Sequence, residues 1–157
     1  MSGELQSAIA VNELATLLIP VNGKQLVLPN VTVAEIILYV EPQAKDDVPN
    51  WYLGSFSWRN TEVPLVSFEA INEEPFVSRS QGCRIAVLNG LVDSQRLPFC
   101  GFVIEGVPRL MRIMPDEVAT DDEVKAGAAE LSRVLVSGEK AAIPDVDFIQ
   151  QEILKIL

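Results

Sequence analysis

The chain has 157 residues, 48% of them hydrophobic, and its 22 Asp and Glu against 12 Lys and Arg leave a formal net charge of -10. That length and apolar content suit a single compact domain with its own core. An acidic surface without a basic block excludes nucleic acid and anionic lipid heads as expected partners, because recognition of either draws on Lys and Arg.

In chain order, residues 1–12, with Ser2, Glu4 and Gln6, are expected to form a flexible N-terminus without the basic-then-apolar order of a signal peptide. Asn22-Gly23 then separates the apolar runs Ala15 to Val21 and Lys24 to Leu28, which predicts a β-hairpin with a type I′ turn. Between Val31 and Val40, Val33, Ile36, Ile37 and Val40 have helical spacing. Their β-branched content equally suits a helical turn running into a strand, and both readings stay open. Trp51 to Trp58 and Val63 to Phe68 are short apolar runs with strand character. A second tight hairpin is predicted at Asn89-Gly90, after Arg84 to Leu88, and strands follow at Pro98 to Ile104 and Arg109 to Ile113. Asp116 to Glu130 is an acidic piece expected to be a mobile surface excursion. Within it, the capping-box form Thr120-Asp121-Asp122-Glu123 predicts a brief helix. Ser137-Gly138 marks a third hairpin, and Ile149, Ile153 and Ile156 behind Asp145 and Asp147 predict an amphipathic helix over 146–156. The chain is therefore mainly β, with many short strands of the kind that close into barrels.

Little of this supports bond chemistry. There is no histidine, so the serine and cysteine triads and the common zinc hydrolases lack their imidazole. No glycine-rich phosphate loop or calcium-binding loop occurs either. Cys83 and Cys100 each sit in an apolar segment outside any metal-ligand spacing, and both are expected to be buried free thiols. The acidic pairs Glu73-Glu74 and Asp121-Asp122 are expected to stay ionised and solvated, since a catalytic carboxylate needs burial or a like charge to shift its pKa. No catalytic residue, metal or cofactor is assigned. No run approaches the roughly 18 apolar residues of a membrane-spanning helix, and a cytoplasmic location is expected.

Four segments in order carry a family resemblance. Leu26-Val27-Leu28-Pro29 precedes Val33-Ala34-Glu35-Ile36. Pro49-Asn50-Trp51-Tyr52-Leu53-Gly54 leads to Ser57-Trp58-Arg59-Asn60 and then to Val63-Pro64-Leu65-Val66. Gly101-Phe102-Val103-Ile104-Glu105-Gly106-Val107 precedes Leu110-Met111-Arg112-Ile113. Last, Val136-Ser137-Gly138 leads to Ile143-Pro144-Asp145-Val146-Asp147. This succession resembles the CheW-like domain of bacterial chemosensory arrays. The second segment is the most specific, because its Gly-to-Arg and Arg-to-Pro spacings match that family's Pro-x-x-Val-x-Gly, Asn-Leu-Arg-Gly and Pro-Val-Val-Asp-Leu motifs. Departures fall in the same place: the central motif has become Ser57-Trp58-Arg59-Asn60, and Ser67 stands for the following Asp. Asn60 suits a turn position that glycine would otherwise fill. Among family members, the accessory CheW-like proteins of pilus-associated twitching-motility systems are the nearest resemblance.

The resemblance implies one CheW-like domain over 1–157, built as two small five-stranded SH3-like β-barrels with a shared core, short helices and a C-terminal helix. It implies a non-enzymatic adaptor coupling chemoreceptors to a CheA-type histidine kinase, in chemotaxis or in pilus-mediated twitching. The partners implied are the kinase's regulatory domain, the cytoplasmic tip of a methyl-accepting receptor and other CheW-like proteins. The competing readings are a small-molecule-binding barrel and a regulatory competitor of another adaptor. Arg59 beside Trp58 lies in an aromatic neighbourhood where a desolvated guanidinium needs a carboxylate, and the resemblance supplies Glu35 as its ion-pair partner, a clamp between lobes. Trp and Arg are also enriched at interface hot spots, so Trp58, Arg59, Ile36 and Ile37 are the candidate partner-binding residues. Core packing competes for Trp58 and for the other aromatics nearby, Trp51, Tyr52, Phe56 and Phe68. It also competes for the edge formed by Ile36, Ile37, Leu38 and Tyr39.

Overall fold

A computed structural model of the protein describes residues 13–75 and 79–157, so the N-terminal segment 1–12 discussed above lies outside the described residues. Eleven strands are described: β1 (Leu14–Val21), β2 (Lys24–Pro29), β3 (Val33–Leu38), β4 (Tyr52–Trp58), β5 (Thr61–Val66), β6 (Arg84–Asn89), β7 (Phe99–Ile104), β8 (Arg109–Ile113), β9 (Val118–Thr120), β10 (Glu130–Val136) and β11 (Glu139–Pro144). Two α-helices join them, α1 (Phe68–Ile71) and α2 (Val146–Leu154).

The strands form two sheets, ordered β8-β1-β2-β11-β10-β9 and β3-β6-β7-β5-β4. The second has the five strands expected of a lobe; the first has six, because three-residue β9 pairs with β10. Each sheet curls. Gln43, beyond β3, exchanges backbone hydrogen bonds of 2.8 and 3.1 Å with Ser55 on β4, which closes the second sheet on itself. Residues from all six strands of the first sheet line one apolar hollow of about 200 Å³.

Alternation explains why so much of the chain is apolar. On β6, Ile85 and Val87 face the second lobe's own core while Ala86 and Leu88 face a core shared by both lobes, and all four are fully buried. A strand covered on both faces has no polar side, so it appears in the sequence as an unbroken apolar run. The shared core takes Ile19, Val21, Leu26 and Leu28 from the first sheet, Val66, Leu88, Phe102 and Ile104 from the second, and Ile149 and Ile153 from α2. The first lobe's own core is smaller, with Ile113, Val134, Val136 and Ala141.

Several local expectations change. The open segment resolves into a 3-10 turn, Asn30–Thr32, that runs directly into β3. The hairpin at Asn22-Gly23 forms, but Gly23 has φ 78° and Asn22 no positive φ, so the turn is not type I′; a positive φ at its second residue alone belongs to type II. Ser137 and Gly138, at φ 48° and 83°, do make the type I′ pattern. At Asn89-Gly90 there is no tight turn. β6 and β7 pair across a connection that starts at Gly90 and ends at Pro98, and fully buried Gln150 of α2 holds it. Gln150 Nε2 donates to the Asn89 carbonyl at 3.0 Å, and its Oε1 accepts from the Leu91 and Val92 amides at 2.8 and 3.3 Å. Gly90 serves close approach, since a Cβ there would lie 1.8 Å from the Leu97 carbonyl oxygen.

The helix predicted after Thr120 is absent. Asp121 is buried and turns its own side chain to accept from the Glu123 amide, an alternative to the helix cap. The far end of the acidic piece is stitched down. Asn72 accepts from the Ala129 amide at 2.8 Å and donates to Glu130 Oε2 at 3.0 Å, while Glu130 Oε1 accepts from the Gly127 amide at 2.8 Å. The C-terminal helix forms as expected, capped by Asp145 accepting from the Phe148 amide, and ends at Leu154, two residues before the predicted end.

Candidate functional site

Arg59 and Asn60 are the two turn residues between β4 and β5, with φ 49° and 59°. Positive φ at both positions is the type I′ pattern, and Asn60 fills the place where a glycine would sit in the resemblance. The turn aims the Arg59 side chain back across the sheet. Its Nη2 lies 2.8 Å from Glu35 Oε1 on β3, and its Cζ lies 4.4 Å from the centre of the Trp58 ring. β3 and β4 are the two ends of the second sheet, so this ion pair spans the seam where the sheet curls towards itself.

Two expectations about these residues are corrected. The Arg59 and Glu35 side chains are 68% and 39% exposed, so the guanidinium keeps its water and the pair joins two strands of one lobe rather than clamping two lobes. Trp58 is only 8% exposed and packs edge-on against Phe99, ring centres 4.8 Å apart. It therefore cannot present a broad face to a partner; it is the floor on which Arg59 rests. Tyr52, Phe56 and Phe68 are likewise buried. Ile36 and Ile37 are half-buried, leaning respectively on the shared core and on the second lobe's core. The open apolar groups along this strand are its neighbours Val31, Leu38 and Val40. Of these only Leu38 stood on the predicted edge. Nothing in local composition separates Val31 and Val40 from core valines; the strand's position at the sheet edge does.

Several other polar groups are engaged within the fold. A cleft of about 310 Å³ contains Glu69, Glu74 and Glu105. Each is already engaged, Glu69 by the Asn22 amide, Glu74 by Lys24 at 2.6 Å and Glu105 by the Ser80 amide. Glu74 and Asp121 thus depart from the solvated state expected of them. Glu130 is buried, which would raise its pKa, yet hydrogen bonds from the Arg133 guanidinium and the Gly127 amide, with the nearby Lys24 ammonium, hold it below the ordinary carboxylate value. Burial pushes the Cys100 thiol up to about 12, whereas Cys83 is only half-buried, contrary to expectation. Among the described residues no group of three His, Cys, Asp or Glu converges as a metal site would require. None of their helices is long and apolar enough to cross a membrane.

A family model described as CheW-like domain matches residues 15–153. No curated protein matches. Among solved structures, the chain is similar to the crystal structure of scaffolding protein TtCheW from Thermoanaerobacter tengcongensis. The TM-score is 0.70 at 14% sequence identity, over 83% of this chain and 88% of that one.

Proposed function

Since the chain belongs to the CheW-like domain family, we propose that it is a non-enzymatic chemosensory adaptor that holds a chemoreceptor tip and the regulatory domain of a CheA-type histidine kinase in one complex. Its work is mass action: a protein that binds both partners raises the effective concentration of each for the other and makes no bond itself. The observation that carries the reading is the Arg59 side chain, an exposed cation on a strongly acidic protein, pre-positioned by Glu35 and by the buried Trp58 ring. A guanidinium held in place before binding loses little rotamer freedom when it meets a carboxylate. Half-buried Ile36 and Ile37, with exposed Leu38 beside them, supply apolar contact on the same strand. The Ser57-Trp58-Arg59-Asn60 motif adapts this surface to a partner other than the main chemotaxis kinase, and a pilus-associated signalling system is the setting we favour.

A calorimetric titration against the regulatory domain of the same organism's CheA-type kinase tests the proposal. Saturable binding weakened by Arg59→Ala, in a variant with wild-type thermal stability, supports it. Wild-type affinity in Arg59→Ala and in Leu38→Asp alike would remove this surface as the docking site. The small-molecule reading has less behind it. The hollow in the first lobe is almost wholly apolar, and a ligand pocket needs convergent polar groups to fix orientation.

A further inference from the structure

The sequence contains two Asn-Gly pairs, and the fold treats them oppositely. At the second, the Asn89 amide nitrogen donates to the Val31 carbonyl at 3.1 Å, and the Gly90 N–H donates to the Pro98 carbonyl at 2.7 Å. Side chain and following nitrogen are both engaged. At the first, Gly23 is exposed with nothing within 4 Å of where a Cβ would stand. Among the described residues neither its N–H nor the Asn22 side-chain amide has a hydrogen-bond partner. The one engaged group is the Asn22 backbone N–H, which donates to Glu69 Oε2 at 3.0 Å. That bond ties the β1–β2 turn of the first lobe to α1 of the second.

We propose that Asn22 is a site of spontaneous deamidation through Gly23, and that its conversion loosens the junction between the two lobes. The Gly23 backbone nitrogen, on losing its proton to base, attacks the carbonyl carbon of the Asn22 side chain. The bond from that carbon to the amide nitrogen breaks, ammonia leaves, and a succinimide ring closes. Water then opens the ring at one carbonyl or the other, giving aspartate or an isoaspartate whose main chain runs through the former side chain. Glycine permits this because no side chain shields its nitrogen. Aspartate brings a second negative charge beside Glu69, and like charges at short range repel. Isoaspartate inserts an extra backbone carbon into a two-residue turn, which moves the N–H away from Glu69.

The intact protein is incubated at mildly alkaline pH in heavy-oxygen water, then digested and mapped by mass spectrometry. The expected result is label in the peptide containing Asn22, faster at higher pH, with the Asn89 peptide unlabelled. In urea, where neither pair is held, both peptides should label alike. Equal labelling of the two pairs in the folded protein, or none at Asn22, overturns the site. The effect on the junction is read separately from unfolding midpoints. Asn22→Asp should lower the midpoint in the wild-type background and have no such effect beside Glu69→Gln. An Asn22→Asp shift that is the same in both backgrounds overturns the coupling to Glu69.

Discussion

Arg59 and Trp58 are adjacent in sequence and opposite in consequence. An exposed ion pair contributes about 0–1 kcal/mol, so Arg59→Ala should leave the urea unfolding midpoint close to wild type. Trp58→Ala opens a cavity beneath Phe99 and should cost about 3–5 kcal/mol, read as a large drop in the same midpoint. A large stability loss in Arg59→Ala would mean that the Glu35 pair holds the barrel seam closed. The two thiols differ by the same logic. The Cys100 thiol is pushed up to about 12 by burial and is packed in the shared core, while Cys83 is half-buried. Since the thiolate is the reactive form, a thiol reagent near pH 8 should label Cys83 in the folded protein and Cys100 only after denaturant is added. The identity of Arg59 as a singular residue was legible from its motif. Its exposure was not, because a tryptophan on one side and a turn on the other give no indication of which way a flexible guanidinium points.

Between elements, the most consequential side chain is Gln150, three of whose hydrogen bonds let a helix hold the connection between β6 and β7. Gln150→Leu keeps the helix's apolar packing but strands the Leu91 and Val92 amides. Leu91 and Val92 are themselves exposed, so each lost bond should cost about 0.5–1.5 kcal/mol. Hydrogen exchange at those two amides should accelerate while α2 keeps its protection; unchanged exchange would show that water replaces the side chain without loss. This contact also shows where local reasoning stops. Asn89-Gly90 has the composition of a two-residue turn, and Gly90 is indeed required, but by the Leu97 carbonyl pressed against it rather than by a positive φ. By contrast α2 and the Ser137-Gly138 hairpin were legible because their determinants lie within a few residues: a cap, an apolar period, a turn pair. The helical turn into a strand was one of the two readings local composition left open, and the helix after Thr120 was lost to a local competitor, the Asp121 side chain accepting from the Glu123 amide, which a capping-box pattern does not reveal.

At the scale of the whole molecule, one polar cluster crosses between the lobes. Lys24 on β2 reaches Glu74 beyond α1 at 2.6 Å and Glu130 on β10 at 3.4 Å, with Asn72 and Arg133 completing the set. Because the folded protein holds Glu130 below its ordinary pKa, the unfolded chain binds more protons in acid. This contribution to stability is therefore present above the unfolded value, about 4.3, and fades as pH falls through the folded one. Urea midpoints measured from neutral pH down into this acid range should fall more steeply for wild type than for Glu130→Gln; parallel curves would exclude the cluster as the source of acid sensitivity. The two-sheet architecture was implied by the family resemblance, whereas this cluster was not, since its members are scattered from residue 24 to residue 133. The strand order has a consequence for how the protein comes into being. The second sheet is built entirely from β3 to β7, but β2 waits for β11, with Gln25 aligned to Ala141, and the shared core waits for Ile149 and Ile153. On a ribosome, then, the middle of the chain can pair its strands while the first hairpin it has already delivered still lacks its sheet partners β8 and β11. Until α2 emerges, the shared core lacks Ile149 and Ile153, so a stalled or truncated nascent chain would present an incompletely covered apolar core to chaperones and proteases.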